Sequence, residues 1–253
     1  MGSLTGELKE FATKEGADLV GITTVDNWEA PQGHRPIDYL KGAKSVVVLG
    51  MRMLDSVMDS ERHRPMMHDA MMLDSMMDQL CYKVGRFLSG KGYLAYPMDD
   101  HFPMGMVNQG YRTTPWFEDF ERTPAYEKHV SGEVSFKYAA SRAGLGVYGR
   151  SSLIITPQFG PRVRFGLVLT DAPLEADQPL RMDFCTGCQV CMKLCPGKAI
   201  TEKGHDRVKC FRSELETGVT ALGVSFRFCP AYCWRKCPVG VLKERYRTPG
   251  KQQ

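Results

Sequence analysis

Cysteine is nearly absent from the first three quarters of the chain. Of nine cysteines in 253 residues, only Cys81 precedes position 185. Also absent are an N-terminal apolar h-region, a twin-arginine near the start and any apolar run of about 18 residues, the length a membrane span needs. These absences predict a cytoplasmic protein without membrane contact, where thiols stay reduced and disulfides are disfavoured. Excess charge of either sign is missing as well. The formal charge of +4 counts cysteines as neutral, and eight thiolates on two 2+ iron–sulfur cores would bring it near zero, so the basic balance predicts no nucleic-acid partner. With 43% hydrophobic and 25% charged residues, the composition is globular and can bury a core without metal.

The last 69 residues hold the other eight cysteines. Cys185-x2-Cys188-x2-Cys191-x3-Cys195-Pro196 has the bacterial ligand spacing for a [4Fe–4S] cluster, in which the fourth cysteine serves a second cluster. A second group follows, Cys229-x3-Cys233-x3-Cys237-Pro238, with Cys210 between the two. The expected ligation is crossed: Cys185, Cys188, Cys191 and Cys237 hold one cluster, and Cys195, Cys210, Cys229 and Cys233 the other. A structural zinc site would need four ligands, not eight. Cys81 lies in an apolar helical stretch and reads as a buried structural residue.

Upstream, residues 5–15 read as an amphipathic helix carrying Leu8, Phe11 and Ala12, stopped by Gly16. Residues 18–24 read as a strand and 25–43 as irregular. Ser45–Gly50 is an unbroken apolar run of the kind that parallel sheets bury. Residues 65–89 form the most regular helix, with Met66, Ala70, Leu73, Met77, Leu80, Val84 and Phe87 on one stripe. Met67, Met71, Met72 and Met76 widen that stripe. Either the helix is buried on two sides, or these methionines form an adaptable apolar wall for a ligand or a partner subunit. Residues 93–97 read as a short strand. Residues 98–128, a long loop with Asp99, Asp100, His101, Tyr111, Trp116 and Tyr126, read as functional. Ser131 would cap a helix running to Arg142. The glycine-rich turn Ala143–Arg150 lacks the preceding strand of a dinucleotide fingerprint. Strands at 152–156 and 162–170 would pair as a hairpin, and 171–180 form an acidic, proline-bearing linker.

Several stretches together resemble the epoxyqueuosine reductase and reductive dehalogenase superfamily: Lys41–Leu49, Arg142-Ala-Gly-Leu-Gly146, Ile154–Gly160, Phe159-Gly-Pro-Arg-Val-Arg164, Gly166–Asp171 and the cysteine run. The resemblance spans about residues 5 to 240. It implies an α/β, nitroreductase-like, corrinoid-binding-type core over 1–175, followed by a bacterial two-[4Fe–4S] ferredoxin-like module over 176–253. It also implies reduction at a cobalamin fed by a cluster. The chain is shorter than either group. Epoxyqueuosine reductases carry a catalytic aspartate just before a Thr-Gly; Ser131-Gly132 matches the pair here, and Val130 stands in the acid's place.

Two readings follow. In the first, an iron–sulfur oxidoreductase passes electrons through two clusters to a cobalamin or a substrate in a cleft of the α/β domain. Tyr111, Lys137, Tyr138, Tyr148 and Arg150 are its candidate proton donors or anion holders, and Gly144, Gly146, Tyr148 and Gly149 its candidate cofactor contacts. In the second, an electron-transfer protein reduces a partner such as a corrinoid protein. A flavin in place of the corrinoid is the remaining variant. A ferredoxin or flavodoxin would donate electrons, and the dimers common among nitroreductase-like folds make a homodimer an option.

Overall fold

The computed structural model describes residues 2–30, 34–60, 63–98, 134–207, 209–210, 213, 219–221, 224–226 and 229–240. Tyr111, the other polar and aromatic residues of the 99–128 loop, Val130 and Ser131 lie outside them. A four-stranded sheet forms the centre. Its order is β1 (Leu19–Thr24), β2 (Ser45–Arg52), β6 (Val163–Thr170) and β3 (Ala95–Met98), and every pairing is antiparallel. This corrects the parallel-type reading of Ser45–Gly50. The run is unbroken because both faces are covered, and seven of the eight residues of β2 are buried.

On one face lie α1 (Leu4–Lys14) and α4 (His63–Gly90), which meet Ile22, Val47, Leu49 and Val168 of the sheet. Phe11 stacks on Phe87 at 4.7 Å between the two helices. Ser3 caps α1 by accepting from the Gly6 amide at 3.2 Å. On β6, Gly166 lets α4 come close, because a side chain there would strike Cys81 and Met77. Cys81 is buried, as its apolar setting predicts. On the other face α5 (Phe136–Arg142) lays Ala139 and Ala140 against Val46, Val48, Leu167 and Leu169. Ser135 caps α5, so the described helix starts after the predicted Ser131. Each large aliphatic side chain in these layers contributes about 1.5–3 kcal/mol by leaving water.

Three expectations change. The helix α4 is not buried on two sides: Met71 is 64% exposed, and Met72 and Met76 are each 47% exposed. Its core stripe is the narrow one of Met66, Leu73, Met77, Leu80 and Val84. The strand at β5 (Ile154–Ile155) does not form a hairpin with β6 but pairs with β4 (Val147–Tyr148). Thr156 and Gly160 exchange backbone hydrogen bonds of 2.9 Å each way, and this tight turn frees β6 to enter the main sheet. Within 25–43, one helical turn appears as α2 (Pro36–Tyr39).

The acidic stretch 171–180 is strapped to the domain. The Asp177 carboxylate accepts from the Ile22 amide at 2.8 Å and from Lys9 at 2.6 Å, and the Glu175 amide donates to Thr5 at 2.9 Å. No helix among the described residues is long and apolar enough to cross a membrane.

Candidate metal centres

The first cysteine run is shaped by turns. Asp183 accepts from the Cys185 amide and from the Thr186 hydroxyl, both at 2.8 Å. These bonds, with the charge of Arg150, hold its carboxyl below the usual range. Gly187 takes a left-handed φ of 70°, so the chain reverses between Cys185 and Cys188 at little steric cost. The helix α6 (Val190–Leu194) carries Cys191 and ends at Cys195, which is extended as the residue before a proline should be. Lys198, at φ 48°, turns the chain so that the Ala199 amide donates to Cys195 Sγ at 3.3 Å. The β7 (Ile200–Thr201) and β8 (Gly204–His205) hairpin returns it to Cys210, whose amide donates to Asp206 at 3.0 Å. Two further short strands, β9 (Val219–Ala221) and β10 (Val224–Phe226), pair beyond it.

In the second group, Ala231 at φ 48° brings its amide to Cys229 Sγ at 3.4 Å, and α7 (Tyr232–Arg235) carries Cys233. Two buried arginines fix this helix to the α/β domain. Arg162 is 1% exposed; it donates to Asp55 at 3.0 Å, to Asp59 at 2.7 Å and to the Arg235 carbonyl at 2.8 Å. Arg235 in turn donates to the carbonyls of Met58 and Ser60. The acceptors belong to α3 (Asp55–Met58) and the residues after it. Trp234 and Ala231 pack onto the α4-side core, and Arg164 lies over the Trp234 ring at 5.6 Å while gripping Asp74 of α4. Backbone meets backbone at Gly160 and Gly240, where a side chain on either would strike the other segment.

None of the nine cysteines is in a disulfide, and the eight of the two groups are half-buried. Cys185, Cys188, Cys191, Cys233 and Cys237 line one cavity, walled by Ile155, Phe184, Val190 and Pro238. Burial pushes the Cys237 thiol up, and its charge neighbours are Cys185, Cys188 and Cys191. Burial pushes the Cys233 thiol up to about 12, and its charge neighbours are Cys229, Cys210 and Cys195. Burial raises Cys191 too, with Cys185 and Cys188 beside it. Cys237 is thus neighbour to the first run and Cys233 to Cys195, Cys210 and Cys229, while the cavity takes in Cys233 with the first run. Soft thiolates, apolar walls and amide donors aimed at sulfur suit iron–sulfur clusters. Among the described residues, no three His, Cys, Asp or Glu side chains converge to hold a single metal ion.

The candidate residues outside the cysteines fall at several places. The Arg150 amide donates to Cys185 Sγ at 3.3 Å, while its Nε is buried without a hydrogen-bond partner. Lys137 stays open to solvent on the face of α5 away from the sheet. The surrounding protein, and then the like charges of Arg207 and Arg164, push its ammonium down, against the pull of Cys233 and Cys210. Tyr138 serves packing: its hydroxyl accepts from the Glu29 amide at 3.2 Å, and its ring meets Trp28 edge-on at 5.1 Å. Tyr148 is 44% exposed. The turn glycines are accounted for by protein atoms. A side chain on Gly144 would meet Gln178, one on Gly146 would meet Ile154 and Ile155, and one on Gly149 would meet Ile155 and, at 3.5 Å, Cys185 Sγ. They admit close packing at these positions. Asp183 and the Arg162–Arg235 pair were not singled out from sequence; Arg162 lay inside a quoted stretch, but nothing local marked Arg235.

A model of the 4Fe-4S binding domain matches residues 180–201. The chain is 40% identical over 88 residues to an epoxyqueuosine reductase of Bacillus cereus, covering 34% of this chain and 23% of that protein. It is 26% identical over 212 residues to a tetrachloroethene reductive dehalogenase of Dehalobacter restrictus, covering 81% of this chain and 31% of that protein. A solved reductive dehalogenase, whose structure suggests a mechanism for B12-dependent dehalogenation, superposes on 82% of this chain and 28% of its own with a TM-score of 0.60 at 19% identity. The chain is thus similar to both groups and spans less than a third of the length of these relatives.

Proposed function

We propose that the chain is an iron–sulfur oxidoreductase of the epoxyqueuosine reductase and reductive dehalogenase type, with an α/β domain over 1–175 and a cluster module over 176–253. What supports this is the cavity that brings Cys185, Cys188, Cys191, Cys233 and Cys237 together, with Cys195, Cys210 and Cys229 as charge neighbours of Cys233. Cys185, Cys188, Cys191 and Cys237 would hold one [4Fe–4S] cluster, and Cys195, Cys210, Cys229 and Cys233 the other. Bound there, the clusters supply one-electron transfer. The chain's own residues do the rest. The amides of Arg150, Ala199 and Ala231 direct N–H dipoles at sulfur, and Arg162 with Arg235 fixes the second set against the α/β domain. Ile155, Phe184 and Pro238 wall the first.

The electron acceptor would be a corrinoid or a substrate held by the α/β domain, with a ferredoxin- or flavodoxin-like donor. This part rests on similarity to the dehalogenases. Val130, in the place of an acid, keeps nucleic acid out of the proposal. Delivery of electrons to a partner corrinoid protein is the second reading, favoured by the close packing around the glycine-rich turn. Anaerobic reconstitution should give about eight irons and eight acid-labile sulfides per chain, two [4Fe–4S] clusters' worth. Four irons, or stoichiometric zinc, would refute the two-cluster assignment. A shift in the visible spectrum of added hydroxocobalamin separates the first reading from the second.

A further inference from the structure

We propose that Asp183 is a positioning residue for the first iron site: it fixes the Cys185–Cys188 loop before iron binds and makes Cys185 the anchor ligand. This deepens the reading above and rests on its assignment of Cys185, Cys188 and Cys191 to a cluster. Three polar atoms of Cys185 are engaged, each by a different part of the chain. Its amide donates to Asp183 Oδ1 at 2.8 Å. Its carbonyl accepts from the Cys188 amide at 3.1 Å. Its sulfur accepts from the Arg150 amide at 3.3 Å. The second carboxylate oxygen of Asp183 accepts from the Thr186 hydroxyl at 2.8 Å. One side chain thus spans two consecutive residues of the loop, the local pattern by which Asp organises turns. Bonds to an ionised acceptor are about twice as strong as neutral ones, so a carboxylate suits the task.

The loop is tied to the α/β domain on both sides of Asp183. Upstream, Asp177 is held by Lys9 and by the Ile22 amide. Downstream, Cys185 Sγ meets the Arg150 amide of the glycine-rich turn, and a side chain on Gly149 would come within 3.5 Å of the same sulfur. Gly187 completes the reversal at φ 70°. Cys185 and Cys188 then border the same cavity as Cys191 and Cys237. A ligand already fixed at its nitrogen, oxygen and sulfur loses less conformational freedom when iron arrives, which is the gain from preorganisation.

The second set supplies a matched control. There the Cys210 amide donates to the backbone carbonyl of Asp206 at 3.0 Å, while the Asp206 carboxylate accepts from the Lys209 amide at 2.9 Å. Truncating Asp206 therefore removes a carboxylate near the cysteines without releasing the bond that holds a ligand. Both aspartates are exposed, so either can be replaced with little disturbance of the packed layers.

The test uses the full chain, reconstituted anaerobically, reduced, and followed by low-temperature spin resonance while a chelator removes iron. Cys237→Ser identifies the signal of the first set. Asp183→Ala should broaden or shift that signal and speed its loss about tenfold, the scale of a lost bond to a charged acceptor, while the other signal keeps its shape and rate. Asp183→Asn, whose carbonyl oxygen still accepts from the Cys185 amide, should restore most of the wild-type behaviour. Gly187→Ala, strained at that φ, should speed loss of the same signal, and Asp206→Ala should change neither. Iron missing from the first set alone in Asp183→Ala, with Asp183→Asn fully loaded, also supports the proposal. Wild-type signal and release in Asp183→Ala overturn it. So does an equal change in both signals, or an Asp183→Asn variant that behaves as Asp183→Ala does. An iron count near four in the unsubstituted chain counts against the two-cluster reading alone, because the effect of Asp183→Ala is then read on the one remaining signal.

Discussion

Replacing Arg162 by methionine tests how the cysteine module is held. The guanidinium is 1% exposed and bridges three acceptors: Asp55, Asp59 and the Arg235 carbonyl. Removing one partner of a buried ion pair costs about 3–5 kcal/mol, because the other charge is left buried. Two features place this case at the low end. Asp55 keeps its bond to Arg52, and the Asp59 side chain is 31% exposed, so water can take over part of its solvation. The expected loss is about 3 kcal/mol, which for a chain of this size lowers the melting temperature by roughly 6–12 °C. An exposed pair is the control. Lys83 and Glu15 meet at 2.8 Å, but Lys83 is 52% exposed, and Lys83→Ala should cost at most about 1 kcal/mol. Arg162→Met should also speed iron loss to a chelator, because Arg235 lies between Cys233 and Cys237. If Arg162→Met melts with the wild type while Lys83→Ala does not, the clamp argument is wrong.

Cys210→Ser and Cys195→Ser should perturb one cluster and Cys237→Ser the other, as read by spin resonance; two intact clusters in Cys210→Ser would remove it from the ligand set. Gly160→Ala should destabilise the protein in a thermal melt, since φ is 58° and the new methyl would meet the Val239 carbonyl. Met72 and Met76 changed together to Glu should leave the fold intact because both are half-exposed; a drop in sedimenting mass would show that a second copy covers them, and unfolding would contradict the exposed face. The metal-free chain should lose stability as pH rises above about 9. Its buried Cys233 thiol keeps a proton up to about 12 while the unfolded thiol has lost it, so unfolding releases protons and rising pH favours it. The reconstituted protein, whose ligand sulfurs carry no proton, should not show this decline in a pH series of melts.

How much of this was legible in the sequence depended on the range of the interaction. The cysteine spacings, the stripe on α4 and the apolar run of β2 are local patterns, and each marked the right element. What they could not carry was the partner. Ser45–Gly50 reads the same whether its neighbours run parallel or antiparallel, because burial on both faces erases the alternation that would tell them apart. The wider methionine band looked like a second buried face, yet hydrophobicity alone does not say what covers it. Ser152–Thr156 has the propensity of a hairpin strand, but the Thr156–Gly160 turn sends β6 to β2 and β3 instead. Arg235 was invisible because its acceptors are about 175 residues away in sequence, at Met58 and Ser60.

That long-range attachment also bears on why the α/β domain and the cysteines share one chain. In the module, Ala199, Ile200 and Arg235 are the buried residues among those described, and one of the three is an arginine. Among those described residues, apolar burial is small against the chain entropy of ordering them, which costs about 1–2 kcal/mol each. Two other sources must supply the difference. One is metal ligation, which acts as folding energy where no site exists in the unfolded chain. The other is the contact surface with the α/β domain: the Arg162–Arg235 clamp, Trp234 on the α4 core, the close approach of Gly160 and Gly240, and the Arg150 amide on Cys185. The last of these ties a ligand sulfur directly to the glycine-rich turn. A module held this way would keep a fixed position relative to the sheet if it binds the proposed clusters. Fixed position is what the proposed electron delivery to the α/β domain would require.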